Sequence, residues 1–194
     1  SCISKGKARK PYEFGVKSSL AITHKQGLIV GARTFPGNPY DGHTLAAQLE
    51  QTRIFLENVG TEPKEVFVDL GYRGVDHQNP GVTIHHRGKY RSMTQEQRRW
   101  LKRRQAIEPV FGHLKNDHRM DRNWLKGEVG DAMHAVLCAA GYNIRWLMRA
   151  ILAGIINPVY LSLMLGQWMQ IFKERLVSFK LESTMNSKME LGLA

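Results

Sequence analysis

The stretch Val66-Phe67-Val68-Asp69-Leu70-Gly71-Tyr72 is the most informative part of this chain, because a run of apolar residues ends there in a carboxylate. Three consecutive apolar residues of high β-propensity are typical of a short buried strand. A weaker apolar run at 82–85 predicts another strand. Asp69 therefore lies at the end of a predicted strand, where its side chain can leave the sheet.

Upstream of this strand, the sequence predicts a hairpin followed by a helix. The segments 12–23 and 28–35 are rich in β-forming residues and are separated by a turn-like break, a pattern that predicts two antiparallel strands. Asp41 or Thr44 is expected to cap a helix that runs to about Asn58. With the strands at 66–69 and 82–85, these elements predict an α/β fold.

Downstream, Arg104, Glu108 and Lys115 are spaced to share one stripe of a helix. Four steps advance about 40° past a full turn and eleven about 20° past three turns, so the three side chains fall within about 40° of one another. A strand end and a helix can thus present two acids, Asp69 and Glu108, to one metal ion. Such a pair suits phosphoryl transfer on nucleic acid.

The helix that carries this stripe has a clear start and an internal conflict. Thr94 and Gln97 have the spacing of a capping box at its first turn. Pro109 removes a helical hydrogen bond and disfavours helical geometry at Glu108. Either the helix is kinked there, or one helix ends near Ala106 and another starts with Pro109 at its first position.

The charge distribution favours an anionic partner. The chain has 28 Lys and Arg against 17 Asp and Glu, a net charge of +11 and a pI of about 9.9. Residues 85–126 hold twelve bases and four acids, whereas residues 41–70 hold two bases and six acids. A basic run is often only a solvated face, but aromatic and imidazole side chains interleave with these cations and favour nucleic acid. These are Trp100, His113, His118 and Trp124.

The C-terminal region is predicted to be helical. Apolar residues recur at helical spacing across 131–149, which predicts a core-facing helix with Arg145 and Arg149 outside it. Residues 150–172 carry no formal charge and are long enough for a membrane span, but their polar residues favour buried or partner-facing helices, or a poorly ordered tail. Residues 180–194 are expected to fray.

Length, cysteine content and the absence of a nucleotide-binding loop indicate the number of domains, the cellular compartment and the cofactor requirement. A chain of 194 residues can form one domain with a sizeable core. Cys2 and Cys138 are too few for a disulfide framework and lack zinc-type spacing, so a reducing cytoplasm is the default expectation. Residues 71–74 are too short for a phosphate-cradling glycine loop, so no nucleotide or other small-molecule cofactor is implied.

Several motifs together resemble those of bacterial insertion-sequence transposases of the DDE type. The Arg-x3-Glu-x6-Lys spacing of Arg104, Glu108 and Lys115 resembles the signature around the last acid of that family. The likeness covers about 5–149, and Leu101 stands where a tyrosine is often found. Its further motifs are Lys5-Gly6-Lys7, Lys10-Pro11-Tyr12-Glu13-Phe14-Gly15, Pro36-Gly37-Asn38-Pro39-Tyr40-Asp41-Gly42-His43-Thr44-Leu45, Asp69-Leu70-Gly71-Tyr72-Arg73-Gly74 and Asn123-Trp124-Leu125-Lys126-Gly127.

The resemblance implies an RNase H-like mixed sheet flanked by helices. In such a fold the first strand, with the first catalytic aspartate, is expected before Ser1, so the chain looks truncated at its start. The implied organisation is a partial catalytic core at 1–127 and a helical C-terminal region with a frayed tail at 128–194.

The resemblance also implies site residues and partners. Asp69 is expected to be the second catalytic acid and Glu108 the third, both as ligands of Mg²⁺ or Mn²⁺. DNA contacts are expected from Arg104, Lys115, His113 and Arg73. The partners would be element ends and target DNA, in a bacterial, nucleoid-associated protein for which a homodimer is one possible assembly. The alternatives are a non-catalytic DNA-binding remnant and an interaction or membrane-associated protein.

Overall fold

The computed structural model describes residues 2–4 and 12–191. The chain divides into two compact units, Ser1–Arg145 and Trp146–Ala194. The predicted boundary between 1–127 and 128–194 stays a prediction. The first unit contains all the described strands and most of the helices.

The first unit opens with four antiparallel strands in two pairs. Strand β1 (Cys2–Ser4) pairs with β2 (Tyr12–Phe14), and β3 (Lys17–Ile22) pairs with β4 (Ile29–Phe35). The backbone N–H of Gly27, which has a φ of +70°, donates to the Thr23 carbonyl at 3.0 Å and closes the turn between β3 and β4. The antiparallel hairpin predicted from sequence is confirmed.

Helix α1 (Asp41–Leu56) packs tightly on the hairpin. A Cβ atom placed on Gly31 of β4 would lie 2.3 Å from Gln48 Nε2 and 2.6 Å from Thr52 Oγ1, so only glycine fits beneath the helix. Gln51 Oε1 accepts from the Ala32 N–H at 2.9 Å and satisfies a donor of β4.

The expected side-chain cap of α1 is wrong. Tyr40 is the residue at the N-cap, and it makes no side-chain capping hydrogen bond. The Thr44 hydroxyl donates to the Asp41 carbonyl at 2.7 Å, inside the first turn. The Asp41 carboxylate instead forms an ion pair with Lys17 of β3, a partner that lies too far away in sequence for a local capping rule to find.

The two central predicted strands are confirmed, and they are parallel. Strand β5 (Glu65–Phe67) pairs with β6 (Thr83–His85) in register, Val66 opposite Ile84. Because the strands are parallel, their carboxyl ends lie at the same edge. The described strands form three separate two-stranded sheets. Short 3-10 turns lie at Glu57–Val59, Leu70–Tyr72, Asp76–Gln78 and Arg87–Ser92.

Helix α2 (Gln95–Arg103) begins with the predicted capping box. The Gln97 N–H donates to Thr94 Oγ1 at 3.2 Å, and the Thr94 N–H donates to Gln97 Oε1 at 3.0 Å. Two orphan N–H groups of the helix start are therefore satisfied by side chains.

The predicted conflict at Pro109 is resolved by a short 3-10 turn between two α-helices. After α2 the chain makes this turn at Arg104–Ala106, and α3 (Ile107–Asp117) follows, while the backbone stays in the right-handed helical region. A proline ring clashes with the carbonyl four residues earlier, here that of Gln105, so regular α-helical geometry is disfavoured in this turn. Pro109 lies third in α3, where a missing N–H costs nothing.

Helix α4 (Gly127–Leu152) exists as predicted, and Arg145 and Arg149 lie outside the core as expected. The prediction of its core-facing residues is wrong for four large apolar side chains, which are exposed, and small residues face the core instead. Close approach to the hairpin and α3 suits small side chains, because a helix with a small-residue face can pack its backbone nearer. Met133, Leu137, Ile144 and Met148 are 54%, 60%, 59% and 58% exposed, whereas Ala135, Cys138 and Ala139 are buried.

Two buried clusters form the core of the first unit. One joins the β3–β4 hairpin to α3 and α4, and the other joins α1 to the β5–β6 pair and the loop after β5. The first cluster consists of Leu20, Ile29, Ala32, Val110, Leu114, Ala135, Cys138 and Ala139. The second consists of Leu45, Leu49, Val75 and Ile84.

The second unit contains the end of α4 and helix α5 (Pro158–Leu191). Large apolar side chains of α5 are exposed, among them Trp168 and Phe172, so they are not buried within the chain, and a partner-facing role for this segment stays a prediction. Among the described residues, no helix combines the length and the apolarity that crossing a bilayer requires. Helix α5 continues to Leu191, and fraying of 180–194 stays a prediction.

Candidate active site

Asp69 lies just beyond the end of β5, as the sequence predicts. Its Oδ1 accepts a hydrogen bond from the Leu70 N–H at 2.8 Å, which caps the 3-10 turn Leu70–Tyr72. The side chain is 65% exposed. The carboxylate is therefore held at one oxygen by the backbone and remains open to solvent and ions.

Aromatic stacking fixes helix α2 against strand β5. The Phe67 ring stacks on His85 with centroids 4.7 Å apart, and Trp100 of α2 meets Phe67 edge-on at 5.6 Å. His24 of the hairpin packs against the same Trp100 ring at 4.9 Å. Pairs of this kind contribute about 0.5–1.5 kcal/mol beyond area burial. They hold the carboxyl half of α2 beside the strand that leads to Asp69.

Arg104 is the residue directly after α2, and the packing of α2 against β5 brings it close to Asp69. Its Nη2 lies 3.9 Å from Asp69 Oδ1, and the Arg104 side chain is 24% exposed. The pair is long and partly solvated, so its contribution to stability is small, about 0–1 kcal/mol. The contact between Arg104 and Asp69 shows instead that the turn between α2 and α3 lies next to the end of β5.

Helix α3 presents Glu108 and Lys115 on one face. Seven steps fall about 20° short of two full turns, so these two side chains point in nearly the same direction. Val110 and Leu114 lie about 200° and 240° around the helix from Glu108 and are buried in the core. Anchoring at those two residues turns the opposite face, with Glu108, toward solvent.

The predicted stripe is therefore only partly correct. Arg104 belongs to the 3-10 turn and not to α3, so Arg104, Glu108 and Lys115 do not lie on one continuous α-helix. The structure brings Arg104 to Asp69 instead. Convergence of the Asp69 and Glu108 carboxylates stays a prediction.

His113 lies on another side of α3, about 140° from Glu108. Its Nδ1 lies 3.0 Å from Asp117 Oδ2, which also accepts from Arg145 Nη1 at 2.6 Å. The hydrogen bond from His113, and then the Arg145 charge, lower the pKa of Asp117 below its usual range. The His113 ring is therefore oriented by Asp117 but is still half exposed.

Arg73 follows the capped turn after Asp69 and is exposed, with its backbone N–H bonded to the Leu70 carbonyl at 3.2 Å. It contributes to the environment of His86, which is buried just beyond β6. Burial, then the charges of Lys89 and Arg73, lower the pKa of His86. His86 Nδ1 accepts from the Gly88 N–H at 3.1 Å, as a neutral imidazole can.

The donor chemistry of this region suits a hard divalent cation only in part. Carboxylate oxygens are the ligands that Mg²⁺ and Mn²⁺ prefer, and both Asp69 and Glu108 are exposed. Across residues 2–4 and 12–191, however, no group of three or more histidine, cysteine or acidic side chains could hold a metal ion. The first acid, expected before Ser1, falls outside the described residues.

The basic residues of 85–126 divide into structural and exposed groups. Arg98 lies over the Tyr90 ring at 4.8 Å and donates to the Tyr90 and Arg91 carbonyls at 3.2 and 3.4 Å, so it holds the preceding 3-10 segment. Lys89 forms an ion pair with Asp76. Exposed cations remain on both sides of this segment, namely Arg87, Arg91, Arg99, Lys102, Arg103, Arg119, Arg122 and Lys126.

Three contributions to the site were missed from sequence. Trp100 was predicted as part of a nucleic-acid surface, but it packs between Phe67 and His24. Lys17 and Asp41 pair beside the loop that follows Asp69. The motif around Asp41 was a signal for this contact, because it belongs to the segments on which the family resemblance rests.

These features place an acid at a strand end beside a basic helical turn. Comparison with known proteins identifies the class of protein to which this arrangement belongs. The family model for the transposase DDE domain matches residues 3–144. The chain belongs to this family, whose members carry out transposition by metal-dependent cleavage of DNA. No curated protein and no solved structure matches the chain.

Proposed function

We propose that this chain belongs to a bacterial insertion-sequence transposase that cuts DNA at the element's ends and joins it to a target. Asp69 and Glu108 are two acids of its metal site, within an RNase H-like arrangement. The observation that carries this proposal is the 3.9 Å approach of Arg104 Nη2 to Asp69 Oδ1. Glu108 lies four residues after Arg104, at the start of α3, and this short separation supports the proposal that the two acids share one site.

The chemistry that fits these acids needs Mg²⁺ or Mn²⁺. A divalent ion bound by the carboxylates would activate a water or a 3′-hydroxyl and stabilise the leaving oxygen of an in-line displacement. Asp69 is suited to its part because one oxygen is fixed by the Leu70 N–H while the group stays exposed. Arg104, partly exposed beside Asp69, orients that acid or contacts a phosphate near the scissile bond.

Other basic residues complete the proposed DNA surface. Lys115, which is half-buried, projects from α3 in nearly the same direction as Glu108, while His113, held by Asp117, and Arg73 reach DNA from either side. The net charge of +11 supports binding to duplex ends and target DNA through counterion release. A homodimer that pairs two element ends, working at the nucleoid in the bacterial cytoplasm, belongs to this proposal.

A non-catalytic DNA-binding remnant is the second candidate. It is favoured by the finding that the described residues hold no group of three metal-binding side chains. In that case the basic surface would bind DNA while Asp69 and Glu108 carried out no chemistry.

Strand cleavage separates the two candidates. The 194-residue chain and a longer protein that includes the residues encoded before Ser1 would be incubated with Mn²⁺ and DNA carrying the element's ends. We expect only the longer protein to cut, and Asp69→Asn or Glu108→Gln in that protein to abolish cutting. Asp121→Asn, which removes an acid from the same basic segment, serves as the matched control and should cut normally.

The proposed roles of these acids are wrong if the longer protein cuts equally well with Asp69→Asn and with Glu108→Gln. If no form cuts but all bind DNA, the remnant is the better account. Equal cutting by the short chain would refute the expectation that a further acid comes from upstream.

A further inference from the structure

The loop that follows Asp69 is fitted against the start of α1 at two glycines. A Cβ atom on Gly71 would lie 2.7 Å from Asp41 Oδ2, and one on Gly42 would lie 2.8 Å from Val75 Cγ1. Neither glycine has a positive φ, so the constraint is space and not backbone conformation. The loop and the helix therefore touch at two points, and a side chain added at either one would displace a neighbouring atom.

Lys17 fixes the Asp41 carboxylate at this contact. Its ammonium group pairs with Asp41 Oδ1, while Oδ2 is the oxygen that lies against Gly71. The same Nζ donates to the Pro39 carbonyl at 2.6 Å and holds the segment that enters α1. One lysine of β3 thus orients the acid and the chain before it.

Gly71 is the second residue after Asp69 and belongs to the turn that Asp69 caps. The backbone N–H groups of Tyr72 and Arg73 donate to the Asp69 and Leu70 carbonyls, each at 3.2 Å. A displacement of Gly71 would therefore move this turn and change the direction of the Asp69 side chain. The ion pair is placed to prevent that displacement.

We propose that Lys17 and Asp41 are positioning residues for Asp69, which they direct by clamping Gly71. The inference rests on the proposed function only for the role of Asp69 as a metal ligand. The clamp also accounts for Tyr40-Asp41-Gly42-His43 as a structural motif, since Asp41 and Gly42 both touch the loop after Asp69.

Hydrogen exchange measures the clamp without any metal. In the 194-residue chain, Asp41→Asn keeps the shape beside Gly71 but removes the charge, and Lys17→Met removes the partner. We expect each variant to speed exchange of the Tyr72 and Arg73 amides about tenfold, because the turn opens more often once the contact with Asp41 is weakened. The double variant should add little, because both changes break one interaction.

Glu50→Gln is the matched control, because Glu50 lies on the same helix and pairs with Arg33 of the hairpin at 3.4 Å. It removes the same charge and should leave the Tyr72 and Arg73 amides unchanged. Unchanged exchange in Asp41→Asn and in Lys17→Met would overturn the clamp. Faster exchange in all variants, including Glu50→Gln, would also overturn it, because that result reports general loosening.

Binding of Mn²⁺ alone, measured from the free-ion electron paramagnetic resonance signal, tests the consequence for Asp69. We expect Asp41→Asn to weaken binding about tenfold and Asp69→Asn to weaken it more. If exchange responds but no variant, including Asp69→Asn, alters Mn²⁺ binding, the clamp stands and the proposed metal role of Asp69 fails. If Asp69→Asn alone weakens binding, the metal role stands and the positioning role of Asp41 fails.

Discussion

Arg104 Nη2 lies 3.9 Å from Asp69 Oδ1, although 35 residues separate the two in sequence. The contact depends on the packing of Trp100 against Phe67, which sets α2 beside β5. Arg104 opens the 3-10 turn between α2 and α3, so the contact brings this turn to the end of β5. A strand end and a helix junction are thereby joined at the proposed metal site.

Replacing Arg104 with Gln should impair DNA cleavage by the longer protein much more than it impairs folding. The pair with Asp69 is solvated, so the free energy of unfolding should change by less than about 1 kcal/mol. Cleavage should fall at least about tenfold, since Arg104 orients Asp69 or contacts DNA. Urea unfolding measures the change in stability, and cleavage rates measure the change in activity. Arg99→Gln, at an exposed position of α2, is the control. Equal cleavage by Arg104→Gln and Arg99→Gln would show that Arg104 has no role in the proposed site.

Binding of the 194-residue chain to duplex DNA should weaken steeply as salt rises and show little sequence preference. Each Lys or Arg that neutralises a phosphate adds about 0.9 to the slope of log affinity against log salt. Lys115→Ala should therefore lower the slope by about one, whereas Arg33→Ala, which removes the same charge from the β4 pair with Glu50, should leave it unchanged. Binding that does not respond to salt would mean that the basic surface is only solvated.

Asn143→Leu should destabilise the first unit. The Asn143 side chain accepts from the Ile29 N–H at 2.9 Å and donates to the Ile29 carbonyl at 2.7 Å, so it replaces a strand partner at β4. Removing it leaves two partly buried backbone groups unpaired, at a cost of about 1–3 kcal/mol. Urea unfolding measures the loss, and Asn116→Leu, on the exposed side of α3, should change stability little. Equal stability of both variants would contradict the role of Asn143.

The parts of the fold that were predictable from sequence depend on local chemistry. The β3–β4 hairpin, the strand before Asp69 and the capping box of Thr94 and Gln97 each follow from residues within a few positions of one another. Helix α4 shows the limit. Its 3.6-residue period predicts two faces, but which face is buried was decided by close packing that favours Ala135 over Leu137.

The same limit applies to the site. The positions of Asp69 at a strand end and of Glu108 near a helix start were accessible from spacing and resemblance. The ion pair of Lys17 with Asp41 was not, because the partners come from different elements and only the tertiary fold brings them together. A salt bridge of this kind leaves no periodic pattern in the sequence.

The last prediction concerns the acid that orients His113. The hydrogen bond from His113, and then the Arg145 charge, lower the pKa of Asp117 in the folded chain. A depressed carboxyl pKa stabilises the fold above the unfolded value of about 3.9, and that contribution is lost as pH falls through the folded value. His113→Ala should therefore raise the Asp117 pKa toward 3.9, and Arg145→Ala should raise it by a smaller amount.

Carboxyl chemical shifts followed by NMR through acid titration measure both changes, with Asp121 as the internal reference. An Asp117 pKa that stays depressed in His113→Ala would show that Asp117 does not hold the imidazole in place, and would remove the geometric support for His113 as a DNA contact.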